Sequence, residues 1–193
     1  MLSINTKLDV NFKIEICKDI LNPDNDSLIS LGHSQRRLVF VDSNVFNIYG
    51  DKIYGYFNAN YIDAKIIPID ISEEKKDLET LMFMLNSIEN FGLLRRSEPI
   101  IAIGGGAVLD LAKVSNSLYK CKDLEDSIKK SSYELNNFCE LIAIPTTAGS
   151  GAETTSNAVI YVNKIKYSVE GKEIKPNYII IDPSLILTTS KLI

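Results

Sequence analysis

Short apolar runs alternate along this chain with longer stretches in which apolar residues recur every three or four positions. RRLVFVD (Arg36 to Asp42) is rich in branched residues and closed by an acid. Behind it, SNVFNIYGDKIYGYF sets Val45, Ile48, Tyr49, Ile53 and Phe57 at helical spacing, with Ser43 as a candidate N-cap. AKIIPID (Ala64 to Asp70) repeats the run. KKDLETLMFMLNSIENFG repeats the helix, with Leu78, Leu81, Met82, Leu85 and Ile88 on one face and Gly92 as the C-cap. PIIAIGGG followed by AVLDLAKVSNSLYK gives the unit a third time, and ELIAIP (Glu140 to Pro145) adds a fourth strand after a polar helical stretch around Asp123 to Asn136. Strands that read as continuous apolar runs between amphipathic helices predict a parallel sheet covered on both faces, a doubly wound α/β domain with right-handed crossovers.

After Pro145 the texture changes. TTAGSGAETTSN is small and polar, NAVIYV and KIKYSV predict a hairpin turning at Asn163 and Lys164, and NYIIIDP (Asn177 to Pro183) predicts a last buried strand. The closing SLILTTSKLI is too short for a further domain. No linker interrupts the chain, so residues 1–193 are expected to form a single domain.

Composition narrows the chemistry. The chain has 193 residues, 45% of them hydrophobic and 24% charged, with a net charge of -4. No cluster of Lys and Arg lacks nearby acids, which argues against a nucleic-acid partner, since neutralising phosphates needs a basic field. The opening MLSINTKLDVNFKIEI carries no apolar run of signal-peptide length, and nowhere do about 18 apolar residues follow one another, so a cytoplasmic protein without a membrane span is expected. Cys17, Cys121 and Cys139 are odd in number and widely spaced, which fits buried thiols better than a disulfide framework. His33 is the single histidine, so a His-rich metal site cannot be built from these residues alone.

The triplet Gly104, Gly105 and Gly106 falls between a predicted strand and a predicted helix. Such a turn lets backbone approach a phosphate while the first helical N–H groups and the helix dipole favour its charge; it also serves as a tight turn with no ligand. GGGAVLD lacks the G-x-G-x-x-G spacing of the usual dinucleotide fingerprint and the Gly-Lys-Ser/Thr ending of a Walker loop. Asp110 and Lys113, one turn apart, either reach toward a ligand or pair on a solvated face. Asp42, at a strand end, suits either ribose hydroxyls or the cap of the next helix. Glu73 and Lys76 read as ligand groups or as an exposed charged helix start. Thr146, Thr147, Gly149 and Gly151 put hydroxyls and glycines at another strand end, suited to a phosphate or nicotinamide edge or to a plain polar loop.

GGG with Asp110 and Lys113, IPTTAGSGAETT about 40 residues on, then Lys166 and IDPSL, together resemble the amino-terminal half of the iron-containing alcohol dehydrogenases and the wider superfamily that includes 3-dehydroquinate synthase. FGLLRRSEPIIAIGGG and the upstream YGDKIYGYF are similar to the sugar phosphate cyclases, including the valiolone synthase type. Lys113 after GGGAVLDLA and AGSGAETT after Pro-Thr-Thr are similar to the alcohol dehydrogenases. NKIKYSVEGKEIKPNYIIIDPSL is close in style to the phosphonoacetaldehyde reductase type. The resemblance implies a Rossmann-like, mostly parallel sheet with a β-hairpin near its C-terminal end.

It also implies NAD rather than NADP as cofactor, since the acid at Asp42 repels a 2'-phosphate. Asp42, Glu73 and Lys76 would lie at the adenosine end, Gly104, Gly105 and Gly106 at the pyrophosphate, and Asp110, Thr146, Thr147 and Ser150 along the nicotinamide side. Lys166, an exposed hairpin charge by pattern alone, matches the family lysine that reaches cofactor or substrate. In this family the metal is held by an Asp and several His of a helical carboxyl-terminal half, which these 193 residues do not include. The expectation is a dinucleotide-binding domain, inactive in hydride transfer alone and partnered by a helical domain or a second copy. A cyclase domain using NAD transiently is the second reading, and a catalytically silent assembly module the third.

Overall fold

In the computed structural model, which describes residues 13–135 and 138–186, the alternation becomes one six-stranded parallel sheet and a separate hairpin. The elements run β1 (Ile14–Ile16), β2 (Arg36–Asp42), α1 (Ser43–Ala59), β3 (Asp63–Ile69), α2 (Leu78–Phe91), β4 (Ile100–Gly104), α3 (Gly106–Ser117), α4 (Leu124–Lys130), β5 (Leu141–Pro145), β6 (Asn157–Val162), β7 (Ile165–Glu170), β8 (Tyr178–Ile181) and α5 (Pro183–Ile186). The sheet order is β1-β8-β5-β4-β2-β3, and β6 pairs with β7 alone.

β4 and β5 are buried along their whole length and β2 everywhere but its ends, as continuous apolar runs require when helices cover both faces. Alternation divides the core into two clusters. Leu38 and Phe40 of β2 pack with α2 and α3, through Leu81, Met84, Ile88, Val108 and Leu111. Val39 and Val41 face the other way, onto Ile53, Tyr56 and Phe57 of α1 and Ile20 and Leu28 of the segment before β2. β3 is an edge strand, which is why Pro68 is accommodated within it.

Asn163 and Lys164 turn the hairpin as the sequence predicts, with φ of 53° and 65°. Gly92 closes α2 in the left-handed conformation. Other details depart from the pattern. Asp42, not Ser43, caps α1, accepting from the amides of Asn44 and Val45. Met82 and Ile48 are exposed; the buried face of α2 runs through Leu81, Met84 and Ile88, and Met82 stands about 100° around the helix from Leu81. α4 ends at Ser131, whose left-handed backbone turns the chain away, so the polar stretch is a seven-residue helix rather than one reaching Asn136, which lies outside the described residues.

β1 goes unpredicted. Ile14, Glu15 and Ile16 are all exposed, and three residues at a sheet edge carry no periodicity to read. The first twelve and last seven residues, where the absence of a leader and of a further domain were expected, lie outside the described residues. Among the described residues, no helix is long and apolar enough to cross a membrane.

Candidate functional site

From β2 the chain moves outward to β3, then returns across the sheet to β4 on the other side of β2 and continues to β5 and β8. This reversal makes the carboxyl ends of β2 and β4 a topological switch point, the place where open parallel sheets bind ligands in a crevice. Asp42 ends β2 and Gly104 ends β4. A Cβ on Gly104 would stand 3.1 Å from that of Asp42 and 3.0 Å from that of Val108, so the two strand ends close on each other with no room for a side chain.

The helices at this edge begin differently. α1 is capped by Asp42 and α2 by Asp77, which accepts from the Thr80 amide at 2.9 Å. α3 starts behind Gly105 with no side-chain cap. Its first N–H groups have no partner within the helix, and with the dipole they make a place suited to an anion. The loop after β5 forms the wall beside it. Thr146 continues the sheet, its amide donating to the Gly104 carbonyl at 3.0 Å. A Cβ on Gly105 would lie 3.1 Å from Thr147 Oγ1, and one on Gly106 only 2.8 Å from Ser150 Cβ. The glycines thus allow the loop to close over the turn.

Behind this wall lies a chain of buried charge. Lys76 Nζ lies 2.8 Å from Asp110 Oδ2 and 3.4 Å from Glu73 Oε1, and Lys113 Nζ lies 3.5 Å from Asp110 Oδ1. Lys113 is fully buried and also donates to the carbonyls of Ala152 (2.8 Å) and Asn157 (2.5 Å) and to Thr155 Oγ1 (3.1 Å). Burial pushes its ammonium below the usual lysine range, while the charge and hydrogen bond of Asp110 oppose that shift. Glu153 adds a weaker opposing field, and its Oε2 is buried without a hydrogen-bond partner.

The structure therefore gathers Asp42, Gly104, Gly105, Gly106, Thr147 and Ser150 at the switch point, with Thr146 at the root of its wall. Lys76 and Asp110 sit one layer behind, engaged with each other, and Glu73 is an exposed partner of Lys76. The solvated face considered for Asp110 and Lys113 and the exposed start considered for Lys76 are not what forms: all three are buried. Lys166 is exposed on β7, paired in register with Tyr161.

Pattern reading missed the extent of this buried network. The signal lay in AVLDLAKV, where a charged pair one turn apart has apolar residues on every side, the mark of a helix covered all round. Residues Val108 to Ser117 of α3 are indeed all buried. A switch-point argument locating Asp42 beside Gly104 needs the strand order, which no single stretch carries.

Comparison with known proteins matches residues 25–183 to the family model for iron-containing alcohol dehydrogenase. A 2-epi-5-epi-valiolone synthase from Actinomyces sp is 34% identical over 116 residues, covering 58% of this chain and 30% of that protein. An NADPH-dependent butanol dehydrogenase from Clostridium saccharobutylicum is 32% identical over 168 residues, covering 83% of this chain and 39% of that protein. The structure of the valiolone synthase ValA from Streptomyces hygroscopicus subsp. jinggangensis 5008, with NAD+ and Zn2+ bound, superposes with a TM-score of 0.72 at 20% identity over 98% of this chain and 48% of that one. The chain thus spans less than half the length of each of these relatives.

Proposed function

The chain belongs to the iron-containing alcohol dehydrogenase family, and from that premise we propose that it is the dinucleotide-binding domain of an oxidoreductase acting between a nicotinamide cofactor and an alcohol or aldehyde. The observation that carries the reading is the uncapped start of α3 behind Gly105, at the switch point and walled by Thr147 and Ser150. These residues fit a pyrophosphate: backbone donors, the positive end of the dipole, and glycines that bring no side chain of their own. When bound, the nicotinamide supplies the hydride-exchanging carbon.

In this reading Gly104, Gly105, Gly106 and the first amides of α3 hold the pyrophosphate. Thr146, Thr147 and Ser150 orient the nicotinamide side, with Lys166 of the hairpin toward cofactor or substrate. Glu73 flanks the adenosine end. Asp42 takes the ribose: both of its cap bonds fall on Oδ1, which leaves the Oδ2 acceptor out of the cap and open to a hydroxyl. The metal that the family name implies does not fit this chain's own residues, since among the described ones no three His, Cys, Asp or Glu side chains converge. We assign it, with the substrate pocket, to a helical portion corresponding to the additional length of the relatives, on the same or a separate chain.

Cofactor choice tests Asp42. NAD+ should bind this chain at least about tenfold more tightly than NADP+ in parallel calorimetric titrations, because a carboxylate beside the ribose opposes a 2'-phosphate. Equal or tighter binding of NADP+ would remove Asp42 from the ribose.

A sugar phosphate cyclase is the second reading, favoured by the valiolone synthase relatives. It predicts ring closure of a sugar phosphate by the full-length protein, with NAD+ unchanged overall. Net reduction of NAD+ by an alcohol supports the first reading instead.

A further inference from the structure

β6 pairs with β7 in a two-stranded sheet, so its other edge would leave backbone donors and acceptors without partners. That edge is closed by side chains and one carbonyl from elsewhere in the chain. The Val159 amide donates to Asp110 Oδ2 at 3.1 Å, the Tyr161 amide donates to the Lys76 carbonyl at 2.7 Å, and the Asn157 carbonyl accepts from Lys113 at 2.5 Å. Lys113 further holds Ala152 and Thr155, so one ammonium fastens both the loop after β5 and the start of the hairpin. The same loop supplies the wall of the glycine turn through Ser150 and Ala152, which approach the Cβ position of Gly106 to 2.8 and 3.8 Å.

We infer that Lys113, with Asp110 and Lys76, is a positioning group: a buried clasp that fixes loop 150–157 and the β6–β7 hairpin against the glycine turn and thereby sets dinucleotide affinity. The affinity part rests on the function proposed above. Lys113 acts through the loop and not by touching cofactor, because it is fully buried with its donors directed at protein acceptors. Asp110 is held on both oxygens, by Lys113 on one and by Lys76 and the Val159 amide on the other. Its charge is what allows two lysines to stay buried side by side.

Lys113→Met keeps the length of the side chain and removes the charge. Hydrogen exchange and NAD+ affinity are measured on the 193-residue chain. Amides of residues 152–161 should exchange at least about tenfold faster, those of β4 and β5 should keep their rates, and the Kd for NAD+ should rise at least about tenfold. Thr155→Val, nearly isosteric and removing one acceptor of Lys113, should shift both readouts in the same direction by less, and decides the matter if the first variant does not fold. Unchanged exchange in the hairpin would overturn the clasp. A loosened hairpin with unchanged NAD+ affinity would overturn the positioning role. Absence of NAD+ binding in the unsubstituted chain would overturn the dinucleotide reading and the affinity part with it, while exchange still decides whether the clasp exists.

Discussion

Gly105→Val should abolish NAD+ binding, raising Kd by about 100-fold or more, while the protein remains folded. Gly105 has φ of -77° and ψ of -178°, ordinary extended backbone that valine adopts without strain. The new Cβ would meet only the side chain of Thr147, at 3.1 Å from Oγ1, and a threonine hydroxyl can rotate aside. The branched methyls, however, would fill the approach to the first amides of α3. Gly106 is the contrasting site, because a Cβ there would strike Ser150 Cβ at 2.8 Å and displace the loop itself. Calorimetry for binding and thermal melting for the fold separate the two effects. If Gly105→Val binds NAD+ as the unsubstituted chain does, the glycine turn is structural and no phosphate lies on it.

Arg37→Leu should cost about 3 kcal/mol of stability, because it strands backbone carbonyls that a buried guanidinium now satisfies. Arg37 is 2% exposed, at the start of β2, and it donates to the carbonyls of Leu31, Ser34 and Arg36. The segment before β2 is thereby tied to the sheet it covers, where Leu28 and Ile20 pack against Val39 and Val41. Burial lowers the Arg37 pKa while the nearby Glu98 carboxylate opposes that shift, yet the group remains a cation at any physiological pH. Urea unfolding of the variant should give a lower midpoint with an unchanged slope. A midpoint equal to that of the unsubstituted chain would mean that the carbonyls find other partners.

The sheet was legible because its central strands are buried on both faces and therefore spell out apolar runs, as IIAI and LIAIP do. The helices were legible where one face is wet: α2 shows its stripe, though Met82 was placed on it and lies outside it. Legibility failed at the edges and under the hairpin. β1 is three exposed residues held by pairing with β8, a long-range bond that local pattern does not encode. α3 is covered by the sheet on one side and β6 on the other, so its charged residues read as solvent-facing when they are interior. The glycine turn was visible as a triplet, and that Asp42, Thr147 and Ser150 share its site followed from the family resemblance, not from local pattern. Asp42 reaches it through strand order, and Thr147 and Ser150 reach it through the loop that Lys113 holds.

The most direct measurement of the central claim is an amide-resolved NMR titration of the 193-residue chain with NAD+. The account predicts shifts at Gly104, Gly105, Gly106 and Ala107, at Thr146 to Gly151 and at Asp42, with the far ends of the same strands undisturbed. Saturable binding that leaves the Gly104–Ala107 amides unmoved, or no binding at all, would contradict it.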